Sequence, residues 1–383
     1  MTATPVGRQR LSDRQRLAWL RLIRTDNVGP HTFRDLINRF GSAEAALEAL
    51  PELARRGAGR ATLRPFPADA AEAEMEAAER FGARFVALGE ADYPPLLRRI
   101  AAPPPLLAVK GEAAIFALPA VSIVGARNAS LAGVRMARTL ARDLGREGYA
   151  VVSGLARGID AAAHAGALET GTVAALAGGL DKPYPPENLE LCARIAEAGA
   201  LVSEMPFGWE PRARDFPRRN RLIAGLALGL IVVEAATRSG SLISARLANE
   251  AGRLVFAVPG SPLDPRAAGT NGLIKQGATL VTGARDVLEA LAPLSGQPPA
   301  GTPEAGRDAF DETPDFSAAP PPADDDRARI VECLGPTPVD VDGIIRHTGL
   351  HPAQVFMVLL ELDLAGRLER HSGGAVSLPV GQI

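Results

Sequence analysis

Residues 120–130 read AVSIVGARNAS, and residues 149–168 read YAVVSGLARGIDAAAHAGAL. In both stretches a short apolar run ends at a glycine, and an alanine-rich segment long enough for a helix follows. Similar apolar runs recur at 83–88, 172–178, 200–204, 228–234, 253–260 and 278–283. Near-continuous apolar strands that alternate with helices predict a doubly wound, Rossmann-like α/β sheet, mostly parallel and covered on both faces, over residues 66–292.

Length and composition limit the classes of protein that fit. The chain has 383 residues, which suggests two or three domains, and its 42 basic and 44 acidic residues exclude a polycation. Cys192 and Cys333 are too few and too far apart for a zinc cluster or a disulfide framework, so a cytoplasmic location is expected. No apolar run reaches the roughly 18–20 residues of a membrane helix, and the basic start lacks a secretory h-region. We therefore expect no membrane partner.

Residues 1–65 have the outline of a small helical module of the SAM-like or helix-hairpin-helix type. Helical periodicity in 17–25 and 31–41 flanks the turn NVGP, and a third helix follows Ser42, a candidate N-cap. Some modules of this outline hold DNA phosphates at the turn. Because this turn has one glycine and no adjacent lysine or arginine, a packing role is favoured.

The C-terminal part divides into a linker and a winged-helix domain. Residues 293–326 are rich in proline and acidic residues and predict an extended linker. Residues 327–383 contain three helical segments followed by two short strands around Gly373 and Gly374. The third helix carries Gln354, Glu361 and Asp363 and has no basic residue before Arg367, so a protein-contact or regulatory role is favoured over DNA reading.

Two strand-to-helix turns are candidate anion sites at one edge of the predicted sheet. Gly125 gives the chain room to turn after the first strand, and Arg127 projects from that turn. Ser153, Gly154 and Arg157 form an equivalent turn after the second strand. The first turn lacks the GxGxxG pattern, which disfavours a dinucleotide enzyme.

Residues 204–225, EMPFGWEPRARDFPRRNRLIAG, combine arginines with aromatic residues. Phe207, Trp209 and Phe216 are interleaved with five arginines in a chain that is only 4% aromatic. Arginines that bind phosphates beside rings that stack on bases are typical of a single-stranded nucleic-acid groove, where each stacked base contributes about 1–3 kcal/mol. A solvated arginine loop with one ring in the core is the alternative. The arginines are Arg212, Arg214, Arg218, Arg219 and Arg221.

Other polar residues add binding candidates but no catalytic set. Ser239, Gly240 and Ser241 open a helix and could cap it or bind phosphate, and Lys275 could serve another phosphate site. No serine, cysteine or second histidine stands at a spacing that would pair it with His164, so a packing role is favoured for this residue. The sequence contains no metal-ligand spacing, Walker loop or nucleophile elbow. We expect no catalytic residue, metal or cofactor, and binding of an extended polyanion is favoured.

The order of eight motifs resembles the DprA/Smf family of bacterial DNA-processing proteins. The motifs run from about Tyr93 to Val287: IVGAR, VVSGLARGIDAAAHAGAL, GGLDKPYPPEN, SEMPFG, FPRRNRLIAGL, VVEAATRSGSLISA, RLVFAVPG and GTNGLIKQGA. The resemblance implies a non-enzymatic, homodimeric protein that binds incoming single-stranded DNA during natural transformation. It also implies protection of that strand from nucleases and loading of the RecA recombinase onto it.

The resemblance also implies roles for individual residues. Arg127 would meet DNA phosphates, and Phe216 would lie with the arginine-rich loop and Asn220 in the DNA-contacting segment. The turn at 239–241 would lie over the same pocket. This chain departs from the family pattern at two places. Residues 130–133 are Ser-Leu-Ala-Gly and lack the tyrosine that the family usually has there, and Arg157 stands where many relatives carry lysine.

A nucleotide-processing enzyme of the lysine-decarboxylase-like type is the alternative function. Such enzymes also use a Rossmann-like sheet with glycine-rich turns. In that interpretation Glu204 or Glu234 would exchange protons and Arg127 would clamp a phosphate. The chain lacks the PGGxGTxxE loop in which those enzymes resemble one another, which favours the DNA-binding interpretation.

Overall fold

The computed structural model describes residues 10–58, 63–295 and 320–379. They divide into two compact units. The sheet unit comprises residue 10 and residues 74–295, and the helical unit comprises the described residues of 11–73 and 320–379. The N-terminal helices and the winged-helix domain, which lie at opposite ends of the sequence, therefore share one unit. Most of the predicted linker at 293–326 falls outside the described residues.

The sheet unit is built on nine strands, and most of their neighbouring pairs are parallel. They are β1 (Arg84–Ala87), β2 (Leu106–Gly111), β3 (Ala120–Val124), β4 (Ala150–Ser153), β5 (Thr172–Ala175), β6 (Ala200–Ser203), β7 (Gly229–Val232), β8 (Leu254–Ala257) and β9 (Thr279–Leu280). Their order across the sheet is β1-β2-β6-β5-β4-β3-β7-β8-β9. Every apolar run identified in the sequence contains one strand. The sequence pattern did not indicate β2, which follows three prolines and makes antiparallel pairs with β1 and β6.

Helices cover both faces of this sheet, as the near-continuous apolar strands require. They are α4 (Ala68–Arg80), α5 (Leu131–Arg146), α6 (Ile159–Ala167), α7 (Leu189–Ala198), α8 (Asp215–Gly225), α9 (Gly240–Glu250), α10 (Ala268–Lys275) and α11 (Ala284–Ser295). Val121 and Ile123 on β3 pack into a core shared with α5, α6 and α11. Ser122 lies between them and points to the opposite face, where its Oγ donates to the carbonyl of Ile223 in α8.

The helical unit contains the three N-terminal helices and the winged-helix domain. Its elements are α1 (Asp13–Arg24), α2 (Pro30–Phe40), α3 (Ala43–Ala58), α12 (Asp324–Glu332), β10 (Val339–Asp340), α13 (Val341–Thr348), α14 (Pro352–Leu364), β11 (Glu369–Arg370) and β12 (Ala375–Ser377). The Ser42 Oγ accepts from the backbone N–H of Ala45, which confirms the expected N-cap of α3. The winged-helix order predicted from the sequence is also confirmed. Within the part of the chain that the structure describes, no helix is both long and apolar enough to cross a bilayer.

Candidate nucleic-acid interface

The candidate site lies at the point where the strand order reverses. Strands β3 and β7 are neighbours, and the chain continues from β3 to one side and from β7 to the other. Crevices at the carboxyl ends of such strands are the usual ligand sites of doubly wound sheets. Gly125 follows β3 there, and a Cβ on it would lie 2.7 Å from Cγ1 of Ile159 and 3.0 Å from the carbonyl oxygen of Glu234. The missing side chain thus lets this turn approach both neighbours closely.

Arg127, Phe216 and Tyr184 form a cluster that we call the aromatic platform. The Arg127 side chain is exposed, and its Cζ lies 5.0 Å from the centroid of the half-buried Phe216 ring. The Tyr184 ring centroid lies 5.8 Å from that of Phe216, at an interplanar angle of 67°, and Tyr184 is 46% exposed. The platform therefore presents a guanidinium group and two ring surfaces at one place.

The candidates derived from the sequence did not include Tyr184. The available signal was its position within GGLDKPYPPEN (178–188), where an aromatic residue stands between prolines in a chain that contains three tyrosines. Its contact with Phe216 joins a loop to the start of α8, 32 positions away in sequence, and sequence spacing alone does not indicate such a contact.

Arg219 faces the protein interior, which corrects the expectation that it contacts DNA. It is 5% exposed, and its Nη1 donates to the carbonyl of Ala175 at 2.6 Å and to that of Gly154. Burial lowers the pKa of Arg219 to about 10, although the nearby Asp160 opposes that shift. Burial likewise raises the pKa of Asp160, although Arg219 opposes that shift. Arg219 therefore ties α8 to the ends of β4 and β5.

Arg218 and Arg221 share the buried carboxylate of Glu204. Arg218 Nε lies 3.1 Å from Glu204 Oε1 and keeps about half of its side chain exposed. Arg221 Nη2 pairs with Glu204 Oε2, and its Nη1 donates to the carbonyl of Ala102. Only 18% of the Arg221 side chain is exposed. Arg218 can thus reach solvent beside the platform, whereas Arg221 mainly anchors α8.

Arg212 and Arg214 lie on an exposed loop that Asp215 stabilises. The buried Asp215 Oδ2 accepts from the backbone N–H of Arg212 at 2.8 Å and from Nε1 of Trp209 at 2.9 Å. Arg212 Cζ stands 4.6 Å from the Trp209 ring centroid, and Arg214 is exposed. This loop therefore presents two accessible cations on a fixed backbone.

The second strand-to-helix turn contributes one accessible cation. Arg157 is exposed by more than half and pairs with Glu187. Ser153 is fully buried, and its Oγ donates to the carbonyl of Ile123 at 2.6 Å, which corrects its assignment as a DNA contact. Gly154 is also buried, and its N–H donates to Asp160 at 3.1 Å. Both residues shape the turn instead of facing solvent.

His164 supports this second turn from below. Its Nε2 accepts from the N–H of Leu155, and its Nδ1 lies 2.7 Å from Oγ1 of Thr172. Leu155 has a φ of 58°, a left-handed conformation that is strained for leucine and needs support from its surroundings. Burial, with a smaller effect of the nearby Arg219, lowers the pKa of His164 to about 3, so the ring is neutral at pH 7. These contacts agree with the packing role inferred from the sequence.

Glu234 occupies the helix start that the sequence suggested as an anion site. Its Oε2 accepts from the N–H of Ser130 at 2.9 Å, and its Oε1 accepts from the Ser130 Oγ at 2.5 Å. The same Ser130 hydroxyl caps α5 by accepting from the N–H of Gly133. A carboxylate of the protein therefore satisfies this positive helix terminus, and Arg127 remains as the exposed cation of the turn.

The turn at 239–241 packs beside α8. Ser239 caps α9 by accepting from the N–H of Ser241, and the two hydroxyl oxygens lie 2.7 Å apart. Asn220 Nδ2 donates to the carbonyl of Gly240 at 3.4 Å. Lys275 is exposed at the end of α10, and within the described part of the chain it makes no hydrogen bond or ion pair with the aromatic platform. Ser239 and Ser241 thus have a structural role, while Gly240 is open to solvent.

The geometry defines a class: a Rossmann-like α/β protein with accessible arginines and rings at the carboxyl edge of its sheet. Residues 84–292 match the family described as DNA recombination-mediator protein A. Residues 13–77 match a DprA-like N-terminal HHH domain, and residues 314–374 match a DprA winged helix domain. The chain belongs to the DNA recombination-mediator protein A (DprA/Smf) family.

Individual relatives agree with this assignment. The chain is 40% identical to protein Smf of Escherichia coli K12 over 294 residues, which cover 75% of both chains. It is 45% identical to the DNA processing protein DprA of Streptococcus pneumoniae R6 over 198 residues, 51% of this chain and 70% of the relative. The X-ray structure of Streptococcus pneumoniae DprA aligns with a TM-score of 0.59 at 31% identity, covering 73% of this chain and 98% of that one.

A second solved structure bears on ligand binding. It describes the single-stranded DNA binding mode of DNA processing protein A from Helicobacter pylori. That structure aligns with a TM-score of 0.50 at 30% identity and covers 55% of this chain and 96% of its own.

Proposed function

We propose that this protein binds single-stranded DNA at the aromatic platform, with little sequence preference. The observation that carries the proposal is the exposed Arg127 guanidinium over Phe216, with Tyr184 edge-on to the same ring. A guanidinium binds backbone phosphate, and ring surfaces stack on unpaired bases of any identity. Arg157, Arg212, Arg214 and Arg218 would extend the phosphate contacts around the platform.

The proposed cellular role follows the family. The protein would act in the cytoplasm as a homodimer, protect incoming DNA during natural transformation and help load RecA onto that strand. It would do so without catalysis. The engagement of both candidate carboxylates supports this part, because Glu204 bridges two arginines and Glu234 caps α5 through Ser130. A nucleotide-processing enzyme would need one of them to exchange protons with a substrate.

A salt titration of oligonucleotide binding tests the proposed site. Fluorescence anisotropy would be measured with a labelled oligothymidylate for wild type, Arg127→Ala and Phe216→Leu. Arg127→Ala should lower affinity about tenfold and reduce the slope of log K against log salt by about 0.7, because one phosphate contact is lost. Phe216→Leu should lower affinity by about 1–3 kcal/mol per unstacked base and leave the slope nearly unchanged.

Arg285→Ala is the matched control for Arg127→Ala. Arg285 lies on α11 of the same unit, is 89% exposed and pairs with Glu289 one helical turn away. Its removal costs the same charge and should change neither affinity nor slope. Equal losses in the two alanine variants would contradict the proposed site, since they would reflect net charge alone. Release of free base from nucleoside monophosphates by the wild-type protein would contradict the absence of catalysis.

A further inference from the structure

Helix α14, the third helix of the winged-helix domain, carries apolar side chains around its whole circumference, and only Gln354, Glu361 and Asp363 on it are polar. Its sequence is PAQVFMVLLELDL, and nine of its 13 residues are buried. A helix that covers a single core needs one apolar stripe and leaves its opposite face polar. An apolar surface on every side therefore requires two partners, and α14 has them.

The two faces of α14 belong to two different hydrophobic cores of the helical unit. Val355, Val358, Leu359 and Leu362 pack inside the winged-helix domain, with side chains from α12, α13 and β12. The other face packs into the core of the N-terminal helices α1, α2 and α3. The residues on that face are Met357, Leu360 and Leu364.

Hydrogen bonds fix the position of α14 on the N-terminal helices. Asn27 Nδ2 donates to the carbonyl of Leu364 at 3.0 Å, and Thr32 Oγ1 donates to Asp363 Oδ2 at 2.8 Å. Arg367 Nη1 donates to the carbonyl of Gly57 at 3.0 Å. A Cβ on Gly57 would overlap the carbonyl oxygen of Glu361, so the backbones of α3 and α14 approach closely only because this residue is glycine.

A charged triad closes the end of this contact. Arg370 lies 2.9 Å from Asp363 and 3.1 Å from Asp35, and each carboxylate side chain is only 14% exposed. Both acids thus share one cation from the wing of the domain. The contact therefore combines apolar burial, hydrogen bonds donated by side chains and a largely desolvated ion cluster.

We propose that α14 is a docking surface for the protein's own N-terminal helical module, and that duplex DNA is not its ligand. A helix that reads the major groove must place exposed polar or cationic side chains against base edges and phosphates. The outer face of α14 instead carries Met357, Leu360 and Leu364, which are already covered. This inference does not depend on the proposed function, which concerns the sheet unit alone.

A reversible crosslink within the full chain tests this docking. Thr32→Cys and Asp363→Cys would be combined with Cys333→Ser, because Cys333 is half-exposed whereas Cys192 is buried. Mild oxidation should form the 32–363 disulfide in most molecules at every protein concentration, as read from tryptic peptides by mass spectrometry. A short bis-maleimide should join the same pair. Failure of both reagents would overturn the proposal.

Binding measurements on the crosslinked protein address the ligand. The oxidised and reduced proteins should bind a labelled duplex equally, within about twofold, because α14 makes no DNA contact in either state. A tenfold or larger loss of duplex affinity on oxidation, reversed by reductant, would overturn the proposal. It would mean that α14 leaves its dock to read DNA.

An undocking variant provides an independent test. Gly57→Val should separate α14 from α3, expose the apolar face and increase binding of a hydrophobic dye, without a gain in duplex affinity. Gly343→Val is the matched control, because Gly343 lies in α13 with open space where its Cβ would stand. A tenfold or larger gain in duplex affinity in Gly57→Val, absent from the control, would overturn the proposal by showing an inhibited DNA reader.

Discussion

Helices α8 and α14 are the two helices for which DNA contact could be argued, and their surfaces differ in kind. Helix α8 presents Arg218 to solvent, follows the exposed Arg214 and carries Phe216 of the aromatic platform. Helix α14 has no basic residue and is buried from two sides. The name of a domain therefore does not decide whether its helix meets DNA. For single-stranded DNA, accessible cations beside accessible rings decide it, because those groups bind phosphates and stack on unpaired bases.

Each helix also contains a buried charge, and the partners of Arg219 in α8 differ in kind from those of Glu361 in α14. Arg219 in α8 binds two backbone carbonyls and interacts with Asp160 across the end of β4. Glu361 in α14 accepts two hydrogen bonds from Arg327, at 2.8 and 2.9 Å. Buried charges of this type hold elements in place and are unavailable to a ligand. The inner face of α8 thus differs in role from its outer face.

Arg219→Ala should show the largest difference in stability between a substitution on the buried face of α8 and one at an exposed position. The change leaves Asp160 buried without its cation, so we expect a loss of about 3–5 kcal/mol in the free energy of unfolding. Urea denaturation followed by circular dichroism would measure it. Arg214→Ala, at an exposed position preceding α8, should change stability by less than about 0.5 kcal/mol. If the Arg219→Ala protein were as stable as wild type but bound DNA more weakly, Arg219 would be a DNA contact and its assignment to the buried face of α8 would be wrong.

The pH dependence of stability tests the burial of His164 beneath the same edge of the sheet. The folded-state pKa of His164 is about 3, below its ordinary value of 6.5. The unfolded chain therefore binds a proton as the pH falls through 6.5, whereas the folded protein stays unprotonated until about pH 3. His164 thus contributes stability above pH 6.5 that is lost on acidification, by at most about 1.4 kcal/mol per pH unit.

His164→Gln isolates this contribution, because the variant lacks the titrating ring. Its unfolding free energy, measured by urea denaturation between pH 6.5 and 4.5, should fall less steeply with acidification than that of wild type. Parallel curves would mean that the ring takes up protons in the folded state as it does in the unfolded chain, contrary to its burial.

Two exposed arginines, one from each unit, provide the most sensitive comparison. Arg212 stands over Trp209 near α8, whereas Arg346 lies on α13 of the winged-helix domain and is 74% exposed. Arg212→Ala should weaken oligonucleotide binding about two- to fivefold, corresponding to about 0.5–1 kcal/mol. Arg346→Ala should leave it unchanged. Equal losses of affinity in anisotropy titrations of the two variants would mean that net charge, and not the position of Arg212, causes the loss.

Much of the fold was predictable because each strand and helix carries its own periodicity. The apolar runs located eight of the nine strands, and glycines marked the turns that follow β3 and β4. Strand β2 was not predicted, because it follows three prolines and no α-helix separates it from β3, so it lies outside the alternating strand–helix pattern. The arginine-rich segment was also identified, but its division into exposed Arg218 and buried Arg219 depends on which side of α8 faces the sheet.

Local sequence by itself determined the alternating strands and helices, the family motifs and the winged-helix order, because these depend on neighbouring residues and their spacing. Only the tertiary structure decided that the Tyr184 ring contacts Phe216, that the Glu234 carboxylate binds at the start of α5 and that α14 packs into two hydrophobic cores. These features arise when distant segments compete for the same buried space and the same hydrogen-bonding groups. That competition is resolved in three dimensions, so residue spacing along the chain does not encode its outcome.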